Sequence, residues 1–275
     1  MTDGKSRMSA GWASYDSVVD LYERAAVPGF AMIAADLVTA LKLGRGERVL
    51  DLGIGTGLTA SLARNVVGPR GSVIGVDPSL EMLRAARTRR DIAVVAAMAP
   101  GLPFPHAVFD AVAANLVLSH LPDLARGLED VVRVLRAGAR FGATAFAPVV
   151  DHLEDQGAEA DAIVASVRES YGLTAKPTDS PVPWEDLLRS RSEIQAALAG
   201  AGFAQIDVEV HSYRREFPVR DYLSGWGSLS RYLRWSAGQD VWQTFTAEAA
   251  KQLGERFGER IVSVADVWIA TAAVP

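Results

Sequence analysis

The sequence predicts an α/β protein built on a doubly wound, mostly parallel sheet. Three observations carry this. Its strand-like runs are short and apolar but for one acid each, as in Val49-Leu-Asp-Leu52 and Phe109-Asp-Ala-Val-Ala-Ala114, which marks strands covered on both faces. Helical segments separate these runs in alternation, the pattern that produces a parallel sheet. The first run ends in Asp51 and then glycines at 53, 55 and 57, ahead of a helical Leu58-Thr-Ala-Ser-Leu-Ala63. In such folds ligands sit outside the carboxyl ends of the strands.

The elements follow in order. Residues 49–52 form the first strand, and the helix from Leu58 follows the glycine loop. Ser72-Val-Ile-Gly-Val-Asp77 reads as a second strand ending in an acid. Ser79 then caps a helix to Arg89, with Glu81 in its first turn. Ile92–Ala96 is a third strand and Phe109–Asn115 a fourth. Asp123–Arg136 is an amphipathic helix with Leu128, Val131, Val132 and Leu135 on one face, and Gly138 is expected to end it. Arg140–Ala147 reads as a fifth strand.

Simple alternation stops after residue 150. A helix is expected over Asp151–Tyr171, then an irregular proline-rich stretch over Thr174–Pro183. Ser192 and Gln195 stand in capping-box spacing at the head of a helix to Ala201. Ala204–Phe217 is a sixth strand, residues 219–257 are helical, and Val262–Ala272 closes the chain as a seventh strand.

Composition narrows the function classes. A 275-residue chain that is 49 % hydrophobic and 22 % charged has the material for a substantial core. No apolar run reaches the ~18–20 residues of a spanning helix, and the polar start, Met1–Arg7, lacks a secretory leader's apolar stretch. Without cysteine there is neither a disulfide framework nor a thiolate metal site. The expectation is a cytoplasmic protein, with no metal and no membrane association. A net charge of −5 argues against a nucleic-acid partner held by phosphate neutralisation, so a small-molecule substrate is expected.

The glycine loop carries the chemistry. Glycine serves where a turn needs positive φ or where a ligand must lie on bare backbone. The helix start behind it offers unpaired N–H groups. Gly55-x-Gly57-x-x-Ala60, with Asp77 as a ribose-binding acid, also satisfies the form used by nicotinamide-dependent oxidoreductases. Asp51 separates the two readings. A carboxylate two residues before the first glycine suits a cationic ligand such as an amino acid's ammonium group.

The run Val49–Gly57 resembles motif I of the class I S-adenosylmethionine-dependent methyltransferases. The chain is most similar to their small-molecule branch, which includes the ubiquinone and menaquinone C-methyltransferases. The resemblance covers about residues 12–150 and continues through Val73–Asp77-Pro78-Ser79 with Met82, Leu102-Pro-Phe104 ahead of Phe109-Asp110, Asn115–Asp123, and Val134-Leu-Arg-Ala-Gly-Ala139. It implies a Rossmann-like, mostly parallel seven-stranded sheet with an antiparallel last strand and helical lid insertions. It also implies S-adenosylmethionine as cofactor, with Asp51, Gly53, Gly55 and Gly57 at the methionine end. Asp77, Pro78 and Met82 would lie at the ribose and adenosyl group, Ala97 and Met98 at the adenine, and Asn115 and Leu116 under the ammonium. Residues 1–150 would then form a helical cover and cofactor core. Residues 151–275 would supply the remaining strands and the lid, all in one compact domain.

Two departures from the family pattern stand out. Met98 occupies the place where the family often has an acid for the adenine amino group, and a methionine can cover a base face instead. Only His120 follows the fourth strand, where two histidines are frequent. Methyl transfer needs alignment, water exclusion and at most the removal of one proton. Candidates for that base are His120, His152 beside Asp151, and Tyr15 on an N-terminal helix that also bears Trp12 and Tyr22; His106 and His211 read as loop and strand residues. Trp226, Tyr232, Trp235 and Trp242, interleaved with Arg231 and Arg234, read as a pocket wall or as the lid's own core. Arg214 and Arg215 would neutralise an acidic substrate or simply end an exposed strand.

The functional expectation is methylation of a small cyclic or aromatic metabolite at carbon or oxygen, with nitrogen left open. Its rivals are a cofactor-binding protein without methyl transfer and an NAD-dependent oxidoreductase. The sequence leaves a homodimer open.

Overall fold

The computed structural model describes residues 12–148, 152–173, 188, 190–223 and 237–275. A 3-10 turn, Trp12–Ser17, precedes α1 (Val19–Ala25) and α2 (Val27–Ala40). Then come β1 (Arg48–Leu52), α3 (Leu58–Val67), β2 (Ser72–Asp77), α4 (Leu80–Arg90), β3 (Ala93–Ala96) and β4 (Phe109–Asn115). A 3-10 turn at Leu118–His120 leads to α5 (Leu124–Val134) and β5 (Leu135–Phe146). The chain continues with α6 (Gly157–Ser170), α7 (Arg191–Gly200), β6 (Ala204–Pro218), α8 (Val219–Tyr222), α9 (Gln239–Phe257) and β7 (Arg260–Ala273).

The sheet has seven strands in the order β3-β2-β1-β4-β5-β7-β6. β1 to β5 pair in parallel and β7 runs antiparallel to β5, as expected. The strand order reverses at β1, which has β2 on one side and β4 on the other. That is where a doubly wound sheet opens a crevice for a ligand.

Two compact units divide the chain. The larger comprises residues 30–148, 183–211 and 266–275. Its strands alternate their side chains between two apolar clusters. Leu50, Leu52, Val112, Ala114 and Phe141 pack with α5 and α7 on one face. Val49, Ala111, Ala113 and Ile269 pack with α2, α3 and α4 on the other. By the same period of two, Asp51, Asn115 and Thr144 face the second cluster.

The smaller unit comprises residues 1–29, 149–182 and 212–265. It has its own core, in which Ala160 and Val167 of α6 meet Trp242, Phe245, Ala249 and Leu253 of α9, with Val219, Leu223 and Ile261. Trp242 is therefore a core side chain, stacked at a tilt on Phe245 with ring centroids 5.4 Å apart. Trp226, Arg231, Tyr232, Arg234, Trp235 and the stretch Thr174–Pro183 lie outside the described residues, as does Asp151. Among the described residues no helix is long and apolar enough to cross a membrane, and no group of acids and histidines is placed to hold a metal.

Three local expectations need correction. Gly138 does not end α5. That helix stops when Leu135 turns extended and pairs with Phe109. Gly138, at φ +73°, lies inside β5 and donates its N–H to the Val274 carbonyl. The cap of α7 is Ser190, whose hydroxyl accepts from the Glu193 N–H while Glu193 reaches back to the Ser190 N–H. Ser190/Glu193 and Ser192/Gln195 both satisfy the capping-box spacing, and the earlier pair starts the helix two residues sooner. The expected N-terminal helix is two pieces, because Val18 leaves helical geometry at φ −129°.

Candidate functional site

The carboxyl ends of β1, β2 and β4 gather most of the residues that the sequence singles out. Asp51 is the next-to-last residue of β1, in register with Gly75 of β2 and Ala113 of β4. It is only 2 % exposed. The N–H of Ala60, in the first turn of α3, donates to its carboxylate. Gly57 heads α3 and offers no side-chain cap, so Asp51 supplies from a neighbouring element what the cap lacks. The second oxygen, Oδ2, is buried with no hydrogen-bond partner. Burial, partly opposed by the Ala60 bond and reinforced by repulsion from Asp77, pushes this carboxyl up to about 8. An orphaned carboxylate oxygen at a ligand crevice is a site for a cation.

The loop after β1 is built for backbone approach. The N–H groups of Gly53 and Ile54 both donate to the Val76 carbonyl, which turns the chain sharply at the end of β1. Gly53 has φ +70°, and a Cβ there would collide with the side chain of Val117. Gly55 has φ +52° and faces open space, so a Cβ there would fill the cradle rather than strike the protein.

Asp77 ties three loops together. Its Oδ2 accepts from the Gly55 N–H (3.0 Å), its Oδ1 from the Ser79 N–H (2.9 Å), and its carbonyl from the Ala97 N–H (3.3 Å). Both carboxylate oxygens thus face the backbone of the loops at the tip of β2. Pro78 is half-buried beside it, and the following Ser79 caps α4 by accepting from the Met82 N–H. Met82 itself is buried, whereas Ala97 and Met98 are half-buried in the loop after β3.

At the end of β4 the chain is held by a residue that sequence reasoning missed. Thr144 of β5, in register with Asn115, donates its hydroxyl to Asn115 Oδ1 (2.6 Å) and accepts from the Leu116 N–H (2.9 Å). Leu116 is left-handed at φ +54°, a conformation that costs a leucine about 1 kcal/mol or more. The Thr144 bond holds it there. A hydroxyl inside an apolar strand was the available signal. Thr144→Val leaves both partners unpaired in a half-buried place, at a cost of roughly 1–3 kcal/mol. The melting temperature should fall by about 2–4 °C for each kcal/mol, as read by differential scanning fluorimetry.

The candidate bases divide between the units. His120 is exposed at the end of the 3-10 turn after β4, in the larger unit, with its N–H donating to the Val117 carbonyl. Tyr15 and His152 belong to the smaller unit. Tyr15 stands edge-on to Tyr22 at 6.1 Å, and His152 opens the turn before α6. His211 lies between Asp36 (3.5 Å) and Glu209 (3.3 Å) on β6.

A doubly wound sheet with an open glycine cradle, a ribose-competent acid on β2 and an orphaned acid on β1 defines a nucleoside-cofactor enzyme class whose ligand is cationic. Comparison with known proteins gives that class its name. The model of the methyltransferase domain family matches residues 50–142. The chain is 32 % identical over 176 residues to the ubiquinone/menaquinone biosynthesis C-methyltransferase UbiE of Escherichia coli O139:H28, covering 59 % of this chain and 68 % of that one. It is 34 % identical over 146 residues to the UbiE of Methylococcus capsulatus, covering 50 % and 58 %. Taken together, the chain spans about half the length of the curated relatives it matches. Among solved structures, the Haemonchus contortus phosphoethanolamine N-methyltransferase 2 in complex with S-adenosyl-L-methionine shares the fold. Its TM-score is 0.56 at 17 % identity, over 94 % of this chain and 57 % of that one. The chain belongs to the class I S-adenosylmethionine-dependent methyltransferases.

Proposed function

We propose that the protein transfers the methyl group of S-adenosylmethionine to a small cyclic or aromatic metabolite, at carbon or oxygen, in specialised metabolism. The observation that carries this reading is the buried, unpaired Oδ2 of Asp51 beside the open cradle at Gly55. Both fit the cofactor: the oxygen accepts its ammonium group, and the bare glycine backbone takes its methionine chain. The UbiE relatives, named as C-methyltransferases, favour carbon as the acceptor.

The cofactor supplies a methyl group on a positively charged sulfur, already activated for in-line displacement. The protein's own part is to bind and align. Asp51 holds the ammonium with help from the backbone at Asn115 and Leu116. Gly53, Gly55 and Gly57 let the chain approach, and Asp77 takes the ribose hydroxyls beside Pro78. Met82, Ala97 and Met98 bound the adenine end. Where the acceptor carries a proton, His120 is the first candidate to remove it, with His152 and Tyr15 after it; such a base is worth about two to four orders of magnitude in rate.

Calorimetric titration tests the reading. S-adenosylmethionine and S-adenosylhomocysteine should bind the wild type while NAD does not. Asp77→Ala should bind both adenosyl compounds roughly 100-fold more weakly, because two charge-assisted bonds to the ribose are lost. Binding of NAD instead overturns it. If S-adenosylhomocysteine fails to accumulate with every substrate offered, the alternative of a binding protein without transfer takes its place.

A further inference from the structure

We propose that Arg215 is an anion-recognition residue and that the small-molecule ligand of the smaller unit carries a carboxylate. The argument starts from strand periodicity. Successive residues of β6 point to opposite faces. Arg214 and Glu216 point outward and are exposed, while Tyr213, Arg215 and Phe217 point inward and are buried or half-buried. An inward position between a tyrosine and a phenylalanine is ordinarily apolar, yet here it holds a guanidinium.

The two neighbouring arginines differ in what they touch. Arg214 is fully engaged, with Nε on Glu154 (3.0 Å) and Nη1 on Glu216 (2.6 Å). Arg215 has neither. No hydrogen bond or ion pair joins it to the described residues, and its Nε is buried without a partner. Its Cζ lies 5.2 Å from the centre of the Phe217 ring, and a Cβ on Gly29 would touch its Cδ at 3.5 Å. The stem is thus packed and the head is oriented. Burial holds its pKa below the usual arginine value, and Tyr222 and Asp155 oppose this only through space.

Neither neighbour forms a hydrogen bond or ion pair with Arg215, and the Asp155 carboxylate acts on it only through space. The Asp155 Oδ1 already accepts from the N–H groups of Gly157 (2.9 Å) and Val264 (3.1 Å). The Tyr222 hydroxyl donates its one proton to Asp161 (2.6 Å), with the Gly157 carbonyl also within reach at 3.1 Å. A half-buried guanidinium with no direct ion pair is costly, and replacement by an apolar side chain of similar volume should stabilise a fold that had no use for it. A planar carboxylate answers the fork of donors bidentately, and an aromatic carboxylate would also meet the Phe217 ring.

The proposal concerns the smaller unit by itself, and it is tested separately from the methyltransferase reading. Benzoate is the probe, titrated by calorimetry into wild type, Arg215→Gln, Arg215→Met and Arg214→Gln, with benzamide as the neutral control. Benzoate should bind the wild type and Arg214→Gln. It should bind the two Arg215 variants roughly 10- to 100-fold more weakly, and benzamide should not distinguish the four. Arg215→Met should also melt higher than wild type, which an arginine with a structural role would not allow.

Absence of benzoate binding to wild type, equal binding to all four proteins, or a lower melting point for Arg215→Met overturns the proposal. S-adenosylhomocysteine titrated into the same four proteins keeps the two readings apart. If it binds all four while benzoate binds none, the anion site alone fails. If it binds none, the methyltransferase reading fails.

Discussion

Asp51→Asn should melt higher than the wild type at pH 8.5 and bind S-adenosylmethionine more weakly. Asp51 is 2 % exposed, its Oδ2 has no partner, and burial pushes its carboxyl up to about 8. Because the folded value lies above the unfolded one, near 4, the folded state holds the extra proton. The resulting stabilisation is complete below about pH 4, declines as pH rises towards 8 and is gone above it. At pH 8.5 the unliganded wild type therefore carries a buried, unpaired carboxylate. Asparagine removes that charge and still accepts from the Ala60 N–H, so the gain should be about 5 °C.

The same charge is what a cationic ligand needs. Its loss should weaken S-adenosylmethionine binding roughly 10- to 100-fold, the worth of a charge-assisted hydrogen bond. A cation beside Asp51 also returns the carboxyl to its ionised form, so binding at pH 7 releases a proton from it. Calorimetry in phosphate and in Tris should then give different apparent enthalpies for the wild type, and the Asp51 contribution to that difference should vanish in Asp51→Asn. A variant that melts lower at pH 8.5 and binds as tightly as wild type would make Asp51 a structural cap for α3 and nothing more.

Gly53→Ala should abolish measurable cofactor binding and lower the melting temperature. Two costs add at this position. The residue sits at φ +70°, which charges an L side chain about 1–2 kcal/mol. The new methyl group also drives into Val117, an overpacking typically worth about 1–3 kcal/mol. Relief by movement would push Val117 and the adjoining left-handed Leu116 away from the site. Val117→Ala should rescue Gly53→Ala only in part. It removes the two γ-carbons, but a Cβ remains 2.8 Å from the intruding atom, and the backbone strain is untouched.

Gly55→Ala is the contrast. Its Cβ meets nothing within 4 Å, so its melting point should fall by the backbone strain alone, while the ligand finds its cradle filled. Scanning fluorimetry with and without S-adenosylhomocysteine separates the two cases. Equal melting points for Gly53→Ala and Gly55→Ala would mean that Val117 yields freely.

Much of the fold could be read before the structure because each signal was local. β2 and β4 begin and end where the apolar runs do, and Ser79 caps α4 as its sequence suggests. Where two local signals competed, reading failed. Ser190 and Ser192 offer the same chemistry two residues apart, and the helix starts at the earlier of them. Gly138 carries the positive φ that often closes a helix, but its partner is Val274 at the far end of the chain.

The sequence by itself determined the alternation of strands and helices, the acid-and-glycine loop after β1, the acid at the tip of β2 and hence the family. All of these are properties of one short segment, set by period, by backbone freedom at glycine and by charge. Tertiary structure decided the rest. It left one oxygen of Asp51 unpaired, brought Thr144 beneath Leu116, set Val117 against Gly53 and turned Arg215 inward with its Nε unpartnered. Each depends on segments distant in the chain meeting in space, and burial or an unsatisfied hydrogen bond exists only once they have met.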